Sequence, residues 1–415
     1  MPLLQPFDVR IHFPYTLLMA YNGGLVRPEQ QVSTKDTAHY PTEWYKSMSN
    51  DQETEVKSPR TSRAGKQGTL PNVKGLLLSD IQQLVVERGE PKFRAEQIAS
   101  WIFEKGVASF EEMSNLSKNF RTALQEHASL TNLELVTQSR SRHSPTTKFL
   151  FGLEDGQTIE TVLIASSKRN TLCISSQVGC AIDCKFCASG VSGLARNLSA
   201  GEIVDQVIQA RRLVPTRPPT NIVVMGMGEP LANYDNVLRA VRIINADWGL
   251  GIGARKITLS TSGLTPKIRQ LAREDLQFEL SVSLHAADDR TRSTIMPINR
   301  RYPLEELMDA CRTYMTETGR LITFEYVMLK GINDRFEDAA RLAALMRSMK
   351  AKINLIPYNP VEGLIFETPD DGRQMAFIKI LQTGGVTATI RRERGRDIDA
   401  ACGQLRLKQT TAKKG

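Results

Sequence analysis

An α/β fold on a parallel sheet is predicted for most of this chain, on three observations. From Asn170 onward, short apolar runs alternate with longer stretches of helical periodicity. The alternation repeats as six strand–helix units, which implies parallel strands joined by right-handed crossovers. The residues with chemical character follow the apolar runs, at the carboxyl ends of strands, where such folds gather ligands. Six units fit an incomplete (βα)6 barrel and a doubly wound sheet equally.

Residues 1–72 are polar, scattered with prolines and nearly without periodicity, so a disordered extension is expected there. A native start at Met48 is one expectation that intact mass would test. Residues 73–130 read as a small helical accessory domain. Leu78, Ile81, Leu84 and Val85 share one helical face that ends at Gly89. Phe93, Ile98, Trp101 and Ile102 form a second stripe closed by Gly106. A third series runs from Ser109 through Phe110, Met113, Leu116, Phe120 and Leu124. Within 131–169, the runs 148–153 and 159–164 flank Glu154-Asp155-Gly156-Gln157, a hairpin signal, and this segment is expected to link the helical domain to the core.

The core is expected over 170–392. Its strands are placed at 171–176, 221–225, 256–261, 278–284, 322–329 and 352–357, with a last one at 386–391. Amphipathic helices fall near 199–213, 235–247, 265–273, 303–317 and 337–349. Residues 393–415 have little apolar periodicity and read as a mobile loop and basic tail.

The chain has 415 residues, 41% hydrophobic and 24% charged, enough for a globular core and more than one domain. No apolar run approaches the roughly 18 residues of a membrane span. The run from Phe13 to Ala20 is short and lacks signal-peptide flanks. A soluble cytoplasmic protein without membrane contact follows as the expectation, and nothing demands more than a monomer. The net charge of +9 favours a polyanionic partner. Six cysteines in a long chain without a secretory signal point to metal or catalysis rather than disulfide stapling.

Three of them form Cys180-Ala-Ile-Asp-Cys184-Lys-Phe-Cys187, directly after the first strand of the series. Soft thiolates select iron–sulfur, zinc or copper(I). A closed zinc site or a closed cubane takes four protein ligands. Three thiolates within eight residues can hold one cluster and leave one iron open to substrate. The competing reading is a zinc site completed by a distant His or Cys. Cys311 lies on a stripe with Leu304, Leu307, Met308, Tyr314 and Met315 and reads as core. Cys173, seven residues before Cys180, and Cys402, on a polar loop, belong to neither pattern.

The C-x3-C-x2-C spacing after a first strand resembles the radical S-adenosylmethionine (SAM) superfamily. The resemblance implies an incomplete (βα)6 barrel and a [4Fe–4S] cluster on Cys180, Cys184 and Cys187, with SAM chelating the open iron. Phe186 stands where that superfamily has an aromatic residue beside the adenine. The turn Gly226-Met-Gly228-Glu229-Pro230 resembles its GEP motif, with Gly228 and Glu229 suited to the methionine ammonium. Ser260, Ser283-Leu284-His285 and Asn359 end later strands and suit the SAM carboxylate, ribose or nucleoside. Taken alone, His285 reads as a hydrogen-bonded core histidine.

Thr171-Leu-Cys173-Ile-Ser-Ser-Gln-Val-Gly-Cys180 and Asp397-Ile-Asp-Ala-Ala-Cys402-Gly-Gln-Leu405 resemble, more narrowly, the dual-specificity RNA methyltransferase family RlmN. The likeness runs from about Gly75 to Leu405 and includes Lys92-Phe-Arg-Ala-Glu-Gln-Ile98. It implies methylation of carbon 2 of an adenosine in 23S rRNA and of the adenosine 3′ of the anticodon in tRNA. Carbon 2 lies between two nitrogens and is too electron-poor to attack a sulfonium methyl. The implied route uses two SAM per turnover, an S-methylcysteine on Cys402, a resolving Cys173 and a Cys173–Cys402 disulfide reset by external reductant. A flavodoxin- or ferredoxin-like electron donor is implied as well. Glu160 matches the family's proton acceptor, although strand alternation alone reads it as an exposed residue. Arg391, Arg392, Arg394 and Arg396, with Arg140, Arg142, Lys148, Lys168 and Arg169, are expected to hold RNA phosphates. The rival readings are a sister methyltransferase acting on adenine carbon 8 and giving antibiotic resistance, a radical SAM activase, and a non-catalytic zinc RNA-binding protein. The activase would need neither Cys173 nor Cys402.

Overall fold

The computed structural model describes residues 70–405, apart from 192, 348, 350, 392 and 393. The expected disordered extension up to residue 69, the Met48 start, Arg392 and the tail after 405 lie outside the described residues. Asn72, assigned to that extension from the sequence, caps a short turn of 3-10 helix and bridges to Ser129.

The helical domain forms as its apolar spacing dictates. Helix α1 (Leu78–Val86) buries Ile81, Leu84 and Val85, and Asp80 accepts the amide of Leu77 at 3.0 Å. Helix α2 (Arg94–Ala99) runs on as a π turn over Ser100–Glu104, which buries Ile102 and Phe103. Phe93, expected on that stripe, is exposed: it precedes the helix, and the Arg94 guanidinium covers its ring. Helix α3 (Lys118–His127) begins at Ser117, whose Oγ accepts from Phe120 N, and buries Phe120 and Leu124.

Ten strands form one sheet. In chain order its members are β1 (Glu134–Arg140), β2 (Thr146–Gly152), β3 (Thr158–Ala165) and β4 (Asn170–Cys173). A separate two-stranded ribbon, β5 (Gln177–Gly179) with β6 (Leu194–Asn197), interrupts them. The large sheet resumes with β7 (Asn221–Val224), β8 (Ile257–Thr261), β9 (Glu279–Ser283), β10 (Ile322–Met328), β11 (Lys352–Pro357) and β12 (Thr387–Ile390). Their spatial order is their chain order, and every pair from β4 to β12 is parallel. A doubly wound sheet reverses its strand order at a switch point, so this is the single winding of an incomplete barrel. β1 and β12 end the sheet and do not pair with each other.

The hairpin β2–β3 forms as its turn predicts, with Gly152 opposite Thr158. It does not stand apart as a linker: β3 pairs antiparallel with β4, placing Val162 opposite Cys173, and so extends the barrel wall. Six helical crossovers cover the outside: α5 (Ala200–Leu213), α6 (Tyr234–Asn245), α7 (Thr265–Leu271), α9 (Leu304–Thr318), α10 (Phe336–Met346) and α11 (Asp371–Thr383). Two shorter helices, α4 (Ala188–Val191) and α8 (Asp289–Ile295), lie in the connections at the site.

The helical domain docks on α5 and α6 through a buried ion pair. Lys74 Nζ reaches Asp205 Oδ1 at 2.6 Å, and both side chains are excluded from water. A methyl group at Gly75 would stand 2.6 Å from the Gly201 amide nitrogen, so glycine permits the two backbones to touch there.

Candidate active site

Ribbon β5–β6 leaves the end of β4 and closes the base of the cysteine loop. Cys180 N donates to Gly193 O at 2.9 Å, Cys187 N to Cys184 O at 3.0 Å, and Lys185 N to Ile295 O of α8 at 3.0 Å. Asp183 takes a left-handed φ of 55° to make the turn. Cys180, Cys184 and Cys187 line one cavity at the carboxyl ends of the strands. Burial pushes the Cys180 thiol up to about 12 and raises Cys184 and Cys187 as well. Such thiols give up their protons to a metal rather than to water.

The three cysteines fit a cubane cluster better than one ion. Three thiolates from one loop line the cavity. A closed tetrahedral zinc takes four ligands, whereas three thiolates leave one iron of a cubane open.

The rest of the cavity comes from the strand ends named from the sequence: Gly228, Glu229, Ser260, Ser283, His285 and Asn359 all line it. Leu284 does not; its side chain is core, and its carbonyl accepts from Arg292 Nε at 3.0 Å. Gly228 has φ 102°, and a Cβ there would stand 2.5 Å from Gln177 Cβ. The Glu229 carboxylate, raised by burial, is engaged by backbone: Oε1 accepts Leu231 N at 2.9 Å and Oε2 accepts Ser262 N at 2.7 Å. Its first task is thus to tie the β7 turn to the end of β8.

His285 is held in a left-handed conformation (φ 58°) with its ring edge-on to Phe186. Nδ1 accepts the Val327 amide at 2.9 Å, which leaves the ring proton on Nε2. Burial pushes the imidazole down to about 3, with the Arg292 cation adding to the effect, so the ring is neutral.

Arg292 carries no pattern that sequence reasoning detects. It is fully buried and donates to Leu284 O, Ser262 O, Ser283 O and Asn299 Oδ1. One guanidinium thereby locks the ends of β8 and β9 under the cavity. Glu325 was missed for the same reason. It is buried on β10, its Oε1 accepts from Asn354 at 3.1 Å, and it lies 3.9 Å from Arg391.

Cys402 is exposed and lines the same cavity. Its segment is docked on both sides. Ala400, Ala401 and Leu405 are buried, and Gln404 Nε2 donates to Pro360 O at 2.9 Å. Asp397 accepts from Ser141 Oγ and from Arg142 N, and Ala188 N donates to Gly403 O at 2.7 Å beside Cys187. Small residues pack without periodicity, so the pattern gave no sign of this docking.

Cys173 is buried at the end of β4, outside the cavity lining. Burial pushes its thiol up to about 12, the nearby charge of Cys402 adds to this, and Arg391 opposes it. Arg391 is itself raised, chiefly by Cys402. Arg391, expected on RNA phosphates, therefore lies beside both cysteines and lines the cavity. Glu160, read from alternation as exposed, is buried with its side chain only 8% accessible, because its face of β3 turns toward the barrel interior. Lys148, also expected on phosphates, pairs with it at 3.1 Å. Arg394 donates to Ala165 O.

Residues 174–343 match the Radical SAM superfamily, and residues 71–130 match the ribosomal RNA large subunit methyltransferase N-terminal domain. The chain is 48% identical over 355 residues to the probable dual-specificity RNA methyltransferase RlmN 3 of Opitutus terrae, across 81% of this chain and 95% of that protein. The chain belongs to the RlmN family. A second RlmN relative, from Halalkalibacterium halodurans, is 49% identical over 345 residues, across 82% of this chain and 95% of its own length. The crystal structure of a radical SAM methyltransferase from Sphaerobacter thermophilus superposes with a TM-score of 0.78 at 47% identity, covering 81% of this chain and 99% of that one. As a radical SAM protein of the RlmN family, the chain is an RNA-modifying methyltransferase that uses a [4Fe–4S] cluster and SAM. Among the described residues no helix is long and apolar enough to cross a membrane.

Proposed function

We propose that this RlmN protein methylates carbon 2 of adenosine in 23S rRNA and of the adenosine 3′ of the anticodon in tRNA, with Cys402 as methyl carrier and Cys173 as resolving thiol. One observation carries the reading: Cys173 and Cys402, far apart in sequence, lie near enough for the charge of one to act on the other, and Cys402 lines the cavity of the three cysteines. When bound at Cys180, Cys184 and Cys187, the cluster and SAM supply hydrogen abstraction, and SAM supplies the methyl group.

The chain's own residues perform the rest. The exposed Cys402 sulfur accepts a methyl group. After one hydrogen leaves that group, its carbon bonds to adenine carbon 2. The adduct gives up its carbon-2 proton to Glu160 and one electron to the oxidised cluster held, when bound, by Cys180, Cys184 and Cys187. Cys173 thiolate attacks Cys402 sulfur. A disulfide forms, the sulfur–methylene bond breaks, and its electron pair stays on the carbon, which gains a proton. Arg391 offsets the Cys173 thiolate charge that burial disfavours. His285 and Asn359 present donors to a bound nucleoside, and Asn359 also contacts Cys402 O. The reading includes two SAM per turnover, a flavodoxin- or ferredoxin-like donor and a cytoplasmic monomer.

The test is anaerobic turnover with SAM, reductant and protein-free ribosomal or transfer RNA, followed by mass spectrometry of the nucleosides. 2-Methyladenosine from both RNAs is expected. 8-Methyladenosine would overturn the regiochemistry, and SAM cleavage without methylated nucleoside would overturn the substrate.

A further inference from the structure

Lys148 occupies an unusual position for a lysine of a β-hairpin. It stands opposite Val162, which stands opposite Cys173, in one row across β2, β3 and β4. Paired residues of adjacent strands project to the same face, so Lys148 shares the sheet face of Cys173. Its side chain is 14% accessible. The ammonium lies 3.1 Å from Glu160 Oε1 and donates to Asp399 O at 3.3 Å. Asp399 has a left-handed φ of 51° and closes the 3-10 turn Arg396–Ile398, three residues before Cys402. The Glu160 main chain is itself fixed, since its carbonyl accepts Ser175 Oγ at 2.7 Å. An ammonium on a solvated surface keeps its head in water. Here its contacts are one carboxylate and one carbonyl from two segments that no secondary structure joins.

We propose that Lys148 is a positioning residue that holds the Glu160 carboxylate and the Cys402 loop in register for release of the RNA adduct. The inference rests on the roles proposed above for Glu160 and Cys402. Lys148 neither forms nor breaks a bond itself; it acts through the Glu160 carboxylate and the Asp399 carbonyl. It holds one acceptor on each of the two segments to which proton loss and sulfur attack are assigned, and such steps are sensitive to displacements on the order of 1 Å. It also donates to the Asp399 carbonyl, which adds one contact to those that seat the loop.

The test compares wild type, K148M, K148R and C173A, each with its cluster, SAM, reductant and transfer RNA. Three readouts are followed: the methyl group on Cys402 by intact mass, the protein–RNA adduct on denaturing gels, and methylated nucleoside. K148M is expected to carry the methyl group and form adduct but release product roughly 10- to 100-fold slower, so that adduct accumulates. K148R, which keeps a donor of similar reach, is expected to recover most of the release rate. Release by K148M at the wild-type rate overturns the inference, as does failure of K148R to exceed K148M. Weakened RNA affinity with unchanged release would make Lys148 a phosphate contact and also overturn it. If C173A forms no adduct while wild type methylates RNA, the cysteine reading itself fails, whatever K148M does.

Discussion

Cys402 and Cys173 are the same residue type in opposite housings. One is exposed at the cavity mouth; the other is buried with its thiol pushed up to about 12. The two variants should therefore fail at different steps. Cys402→Ala is expected to abolish both adduct and methylated nucleoside while SAM cleavage continues. Cys173→Ala is expected to stall as a covalent protein–RNA species, visible as a gel shift that ribonuclease removes. His285 gives a pH prediction. Its folded value of about 3 lies below the ordinary imidazole value of 6.5, so the unfolded chain binds the extra proton between them. Stability then rises with pH across that window and is lost as pH falls toward 3. His285→Asn should flatten the acid limb of urea midpoints measured from pH 4.5 to 7. The gathering of Cys180, Cys184 and Cys187 at one cavity was legible because their close spacing confines them to one loop. Arg292 and Glu325 were not, since a buried charge is recognisable only by partners that come from other strands.

Elements were read best where periodicity was strong. The expected strands at 221–225, 256–261 and 352–357 appear within a residue of those bounds as β7, β8 and β11. Six elements escaped: β1, α11, the ribbon strands β5 and β6, and the short helices α4 and α8. β1 is an edge strand, largely exposed and bulged between Leu135 and Thr137, so no buried face stamps an alternation on it. α11 buries only Gln374, Phe377, Ile378 and Leu381; its legible mark is Asp370, which caps the Arg373 amide at 2.8 Å. The docking of the helical domain was illegible too, because Lys74 and Asp205 lie 131 positions apart. Asp205 accepts from Lys74 and from Leu133 N. Asp205→Asn keeps an acceptor but strands a buried ammonium, at a cost of roughly 3–5 kcal/mol. Urea unfolding should show that loss, and adding Lys74→Met should restore much of it. No recovery in the double variant would mean that the backbone contact at Gly75, not the charge pair, dominates the docking.

At the scale of the whole molecule, the positive charge divides into two populations. Lys148 and Arg391 are committed to acids inside the site, whereas Arg142, Lys168 and Arg169 are exposed. Neutralising those three exposed residues should weaken RNA binding and reduce the slope of log affinity against log salt by about 2–3. Arg391→Gln should instead slow turnover and leave the slope nearly unchanged. A large slope change for Arg391→Gln would return that residue to the RNA contacts first expected of it. The fold class was legible because each βα unit declares itself locally. The barrel winding was not, since strand order is a property of the assembled sheet. The assembly also has a temporal side. The cysteine loop follows β4, early in the described chain, and the Cys402 segment closes the site from its far end. On the roles proposed above, translation delivers the SAM-cleaving half long before the thiol proposed to carry the methyl group. A polypeptide stalled or clipped just ahead of Gly395 would hold a complete radical source with nowhere to send its product. For such an enzyme the quality of the last stretch of synthesis decides between a catalyst and a hazard.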